Sequence, residues 1–146
     1  MRASEKIQKP VWISFSVDDF DGSKLRSGEN LKQIASILEK FTIEAVLINC
    51  SRPEVVTTAI EIISSFDKKF GAYANAFTKI TADFLKDAPT VDALQERKDL
   101  DPENYSAFVM EWVKLGASIV GGCCEVGPEH IKAIANKLKN SGYKIV

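Results

Sequence analysis

The sequence predicts an α/β fold of four consecutive βα units with parallel strands. Two observations carry that prediction. Four short apolar runs are spread along 146 residues, and each is followed by a segment whose apolar residues recur at helical spacing. The runs are continuously apolar rather than alternating, the pattern of parallel strands in a sheet covered on both sides or closed into a barrel. The length suits a single domain over residues 1–146, and a hydrophobic content of 45% is enough for a core.

The first run is VWISFSV, Val11–Val17. A polar, turn-rich stretch follows, and then Leu31, Ile34, Leu38 and Phe41 share one helical face. The second run is AVLINC, Ala45–Cys50. Ser51 and Glu54 after it have the spacing of a capping box, with Pro53 in the first turn and Val56, Ala59, Ile60 and Ile63 as the stripe. The third run is FGAYAN, Phe70–Asn75. Residues 76–101 come next, too long a stretch for an inert loop, so a functional excursion with some helix of its own is expected. Asp101 and Pro102 start a helix that ends at Gly116, with Tyr105, Phe108, Val109, Trp112 and Val113 on its buried face. The fourth run is ASIVGGCC, Ala117–Cys124, followed by a helix from Pro128 to a stop at Gly142.

Composition excludes several classes. A formal net charge of −1 leaves no basic surplus for nucleic acid. The apolar runs fall short of the ~20 residues that span a bilayer. The N-terminal MRASEKIQKP has no signal-peptide core. A cytoplasmic protein is expected. Three cysteines, two of them adjacent, do not make a disulfide framework.

Those cysteines are the chemical signal. Cys50 ends the second run, and Cys123 and Cys124 end the fourth. In a parallel sheet these ends share one side, where α/β folds place ligands. Strands two apart stand ~10 Å from each other in a flat sheet and closer across a curved one. Three thiolates on one ion, with bonds of ~2.3 Å, form a soft, open site that favours zinc. Adjacent residues on a regular strand face opposite ways, so Gly121 and Gly122 are expected to let the backbone deviate and bring both cysteines to the ion. Buried free cysteines acting as small hydrophobes are the competing reading.

The segments KPVWISFSVDDFDGSKLRSGENL, AVLINCSRPEVV and GGCCEVGPEHIKAIANKL together resemble the homocysteine S-methyltransferase family, in its order and spacing. The resemblance covers nearly the whole chain and implies the C-terminal half of a (β/α)8 barrel. It also implies zinc held by Cys50, Cys123 and Cys124. Homocysteine would bind the zinc as a thiolate and take a methyl group from an activated donor, giving methionine. This chain departs from the family at Val126, where a threonine is common, and at Ala76, where a glycine is frequent. It is also short of the ~250 residues of a full barrel. MRASEKIQ reads as the tail of a preceding helix. The alternative is therefore a non-catalytic zinc-binding half-barrel that needs a separate N-terminal half or pairs with a second copy.

Other residues carry weaker expectations. Asp18 and Asp19 follow the first strand and face the expected site; a contact to the substrate amine is one reading of these two carboxylates, and solvated loop carboxylates are the plainer one. Asn75 either bonds substrate or braces its loop, and Asn49 is a further substrate-adjacent candidate or a backbone brace. The single histidine, His130, fits a helix-terminus hydrogen bond better than a metal. Trp12 and Trp112 are expected to pack in the core.

Overall fold

All four apolar runs contribute a strand, and all pair in parallel. The computed structural model describes residues 9–80 and 94–146. Strands β1 (Trp12–Phe15), β2 (Ala45–Asn49), β3 (Lys69–Tyr73) and β4 (Ile119–Val120) lie in the order β1-β2-β3-β4. The register sets Ser14 beside Leu47, Asn49 beside Tyr73 and Gly71 beside Ile119. β3 and β4 approach closely at that last pair, where a Cβ on Gly71 would stand 1.7 Å from the Ile119 carbonyl oxygen. The fourth run yields a strand of only 2 residues, so GGCC lies beyond the sheet rather than on it.

The helices follow the expected stripes. In α2 (Pro53–Ile63), Val56, Ala59, Ile60 and Ile63 are buried. In α3 (Pro102–Lys114), Tyr105, Val109 and Trp112 are buried, and Asp101 caps the helix by accepting from the Asn104 N–H at 2.8 Å. In α4 (Pro128–Asn140), Ile134 and Leu138 are buried. These side chains meet Val46, Ile48, Ala72 and Ala74 from the sheet in one core. Because strand side chains alternate, the other face of the sheet carries Trp12, Ser14, Leu47, Asn49 and Tyr73.

Three expectations change. The helix after β1 is a 3-10 turn at Leu31–Ile34 and a single α-turn, α1 (Ala35–Leu38). Its ends bond at three-residue spacing, with Gln33 N–H donating to the Asn30 carbonyl and Phe41 N–H to that of Leu38. Such tight turns do not propagate. Trp12 is 55% exposed, because among the described strands β1 is at an edge and only β2 flanks it; Trp112, by contrast, is wholly buried. Ser51 does not cap α2: Arg52 occupies that position without a side-chain bond. The Ser51 hydroxyl is taken instead by β1's exit, accepting from the Val17 N–H at 2.9 Å.

The long excursion after β3 is closed at its base. Phe77 bridges Glu96 in antiparallel fashion, and the Arg97 N–H donates to the Ala76 carbonyl at 2.8 Å. Arg97 then bonds both Asp99 and Glu54, which keep its guanidinium firmly charged. The described parts of the excursion, 76–80 and 94–101, carry no helix; residues 81–93, and the N-terminal 1–8 where a helix tail is expected, lie outside the described residues.

Candidate metal centre

The cysteines converge at the carboxyl ends of β2 and β4. Their sulfurs all lie within 4.8 Å of one another, and those of Cys123 and Cys124 are 3.7 Å apart. Two sulfurs on a tetrahedral zinc with ~2.3 Å bonds stand about 3.8 Å apart. The Cys123–Cys124 pair has that spacing, and three thiol donors suit the softness of that ion. Among the described residues this is the one group of three or more metal-ligating side chains so arranged.

Each cysteine reaches this point by its own route. Cys50 leaves β2 in the left-handed region, with φ 47°. For a residue with a Cβ that conformation costs about 1–2 kcal/mol and must be held by its surroundings. The holders come from three directions. The Cys50 N–H donates to the Tyr73 carbonyl at 3.1 Å. Arg26 Nη2 donates to the Cys50 carbonyl at 2.7 Å. Asn75 Nδ2 lies 3.8 Å from the Cys50 sulfur as a donor.

The vicinal pair is held mostly by backbone. The Cys123 N–H donates to the Ala74 carbonyl at 2.9 Å, and the Ala76 N–H donates to the Cys124 carbonyl at 3.0 Å. Gly121 and Gly122 serve differently from expectation, since neither has a positive φ; Glu125, at φ 61°, makes the left-handed turn. Gly122 is needed for space: a Cβ there would stand 2.1 Å from Val126 Cγ1. At Gly121 the nearest atom would be Tyr73 Cβ at 3.7 Å, an ordinary contact. Val126, the departure noted in the sequence, thus fills the room that Gly122 leaves.

The cluster's charge is unevenly shared. A hydrogen bond from Cys123 brings Cys50 down to about 6, against its burial, with help from Asn75, Cys124 and the Arg26 charge. Cys123 is pushed up, first by Cys50 and then by burial. Cys124 is raised chiefly by burial. The thiols alone therefore carry one negative charge comfortably, and a cation is what would let all three ionise.

The remaining expected residues fall in distinct places. Asn75 is fully buried and does two things, donating to Cys50 and accepting from the Phe77 N–H at 3.1 Å. Asn49 Oδ1 accepts from the Ser16 hydroxyl at 3.0 Å. Asp18 Oδ1 accepts from the N–H groups of Phe20 and Asp21, capping its own turn. Asp19 is only 7% exposed, which corrects its reading as a solvated carboxylate; it accepts from the Ile80 N–H and pairs with Arg26. His130 accepts from the Gly127 N–H at 3.2 Å through Nδ1, as a helix-terminus bond. Two contributors escaped the sequence reading. Arg26 looked like any loop cation, and Tyr105 like a core ring. The Tyr105 hydroxyl lies 2.9 Å from the Gly121 carbonyl and 3.1 Å from that of Ala74, tying the ends of β3 and β4 together. A tyrosine predicted to be buried needs a partner for its hydroxyl, and that was the available signal.

Comparison with known proteins agrees with the parallel α/β fold. The model of the family described as "Homocysteine S-methyltransferase" matches residues 1–138. Homocysteine S-methyltransferase 1 of Arabidopsis thaliana is 34% identical over 137 residues, which are 92% of this chain and 39% of that protein. Selenocysteine methyltransferase of Astragalus bisulcatus is 29% identical over 144 residues, 94% of this chain and 38% of that protein. The crystal structure of the homocysteine methyltransferase MmuM from Escherichia coli, in its metallated form, superposes with a TM-score of 0.65 at 20% identity. It covers 92% of this chain and 38% of that one, and at such identity the likeness shows the fold alone. The chain spans about two fifths of the length of the curated relatives it matches.

Proposed function

This chain belongs to the homocysteine S-methyltransferase family, and from that premise we propose that it forms the metal-binding end of a methyltransferase site with homocysteine as acceptor. The observation that carries the reading is the convergence of three sulfurs within 4.8 Å. Cys50, Cys123 and Cys124 would hold zinc, leaving one position for the acceptor sulfur. Bound there, zinc would supply Lewis-acid stabilisation of a thiolate at neutral pH.

The chain's own residues do the rest. Asn75 orients the Cys50 sulfur while bracing its loop through Phe77. Asn49, Asn75 and Asp18 are the proposed substrate-adjacent groups; Asn49 directly precedes a ligand, and Asp18 lies in the turn after β1. The acceptor thiolate attacks the methyl carbon of an activated donor. A new S–C bond forms as the donor's bond to that carbon breaks, and the leaving group keeps the electron pair. Methionine is the product, and no protein nucleophile is used. Free thiols suit a reducing, cytoplasmic setting. Among the described residues no helix is long and apolar enough to cross a membrane.

A second reading has its own support. The chain covers 39% of its relative, and β1 and β4 each have one unpaired edge among the described strands. A half-barrel that holds zinc and gains activity only with a separate N-terminal half, or with a second copy, fits those facts.

Metal analysis after anaerobic purification tests the first step: about one zinc per site is expected, lost in Cys124→Ala. Zinc-free protein whose three thiols all alkylate readily would sink it. Methyl transfer from S-methylmethionine to homocysteine by this chain alone separates the readings. Turnover by a monomer removes the half-barrel alternative, whereas sedimentation as a dimer supports it.

A further inference from the structure

The Cys50 carbonyl is held by a side chain from the middle of the β1–α1 connection, that of Arg26. Residues 16–18 pair with 24–26 there: the Asp18 N–H donates to the Lys24 carbonyl and the Arg26 N–H to the Ser16 carbonyl, both at 3.0 Å. That pairing carries Arg26 over the end of β2. Its Nη2 donates to the Cys50 carbonyl at 2.7 Å and stands 3.4 Å from Asp19 Oδ1. The second oxygen of Asp19 accepts the N–H of Ile80, at the entry to the long β3–α3 connection. Asp19 is buried, and Arg26 is mostly so. The chain of contacts runs from the Ile80 N–H through the Asp19 carboxylate and the Arg26 guanidinium to the carbonyl of a cysteine in a left-handed conformation.

We propose that Arg26 is a positioning residue for the metal ligand Cys50, and that Asp19 ties it to the chain entering the β3–α3 connection. The physical case is that Cys50 sits outside the conformations open to most residues, so the direction of its sulfur depends on what grips its peptide group. Arg26 grips it with a charge-assisted bond, which is shorter and stronger than a neutral one. Because one guanidinium nitrogen serves both Asp19 and the Cys50 carbonyl, a shift of the connection at Ile80 moves the metal ligand too. The position of the connection and that of the Cys50 ligand would then be set together. The inference rests on the zinc reading above for its consequence, but not for its geometry.

Zinc affinity, measured by competition with a chromophoric chelator on the 146-residue chain, is the first arm. Groups that orient a ligand from outside the metal typically change affinity about 10–100-fold, and Arg26→Ala should weaken zinc by that much. Arg26→Lys, which keeps a donor but not the fork, should recover part of the loss. With cobalt in place of zinc, the thiolate charge-transfer band should shift in Arg26→Ala. The second arm needs no metal: amide exchange at Ile80 and Cys50 should accelerate together in metal-free Arg26→Ala. If that variant does not fold, Arg26→Gln and Asp19→Asn are read the same way, with smaller effects. Zinc affinity within about twofold of the unmodified protein overturns the positioning role. If the unmodified protein binds no zinc, the metal reading fails by itself. Unchanged exchange at Ile80 and Cys50 in Arg26→Ala would then overturn the coupling as well.

Discussion

The loop after β2 and the loop after β4 bring sulfur to the same point by opposite means. Cys50 is in a left-handed conformation, gripped by side chains from distant segments, Arg26 and Asn75. Cys123 and Cys124 sit in ordinary conformations, held by backbone bonds to Ala74 and Ala76 and by the absence of a side chain at 122. The first loop is placed by long-range side-chain contacts and the second by backbone bonds together with local sterics. Perturbations should therefore act differently on them: a steric change should damage the vicinal pair, and a polar one should loosen Cys50.

The steric side gives the largest effect. Gly122→Ala puts a Cβ 2.1 Å from Val126 Cγ1, so either Val126 or the loop must move. Overpacking of this kind costs about 1–3 kcal/mol, to be read by denaturant melts together with a marked loss of zinc affinity. Gly121→Ala is the paired control. Its Cβ would meet nothing closer than 3.7 Å and its φ is not positive, so stability should change by less than about 0.5 kcal/mol. Equal losses from both glycines would break the comparison.

On the polar side, Asn75→Ala strips the Phe77 N–H of its acceptor in a buried place. An orphaned buried donor costs about 1–3 kcal/mol. Thermal melts should show that loss, and the pH below which Cys50 alkylation falls away should move up, because Asn75 helps hold its thiolate.

The charge distribution sharpens the contrast further. In metal-free protein the thiolate resides on Cys50, whose value is lowered to about 6 by the bond from Cys123, while Cys123 and Cys124 are raised. Alkylation at Cys50 should thus be near its plateau at pH 7 and decline as pH falls through about 6. The pair should stay slow until well above neutrality. Modification of Cys124 before Cys50 at pH 7 would reverse the assignment. A control for both loops is Asp101→Ala: losing the α3 cap should cost ~1 kcal/mol with zinc affinity unchanged.

The sequence showed what depends on neighbours along the chain. The stripe Val56, Ala59, Ile60, Ile63 predicted its helix, and the Asp101–Pro102 start was found where expected. The cysteines were legible as a group because strand ends in a parallel sheet share a side. Other features were not legible. Ser51 had the spacing of a cap, yet its hydroxyl went to Val17, 34 positions away in sequence. Trp12 looked like core because the composition of a strand does not say whether the strand lies at an edge. Asp19 and Arg26 looked like loop charges, and only their juxtaposition over Cys50 distinguishes them.

By itself, then, the sequence determined the four strands, their parallel direction, the helices at 53–63, 102–114 and 128–140, and the three thiols as candidate ligands. Periodicity and turn chemistry are local properties, and a strand's end is known once the strand is known. Only the tertiary structure decided the left-handed turn at Cys50, the steric rather than conformational need for Gly122, and the polar chain from Ile80 to Cys50. Each of these depends on which atoms from distant segments come within a few ångströms. That distance is set by packing the whole sheet against its helices, not by any stretch of residues alone.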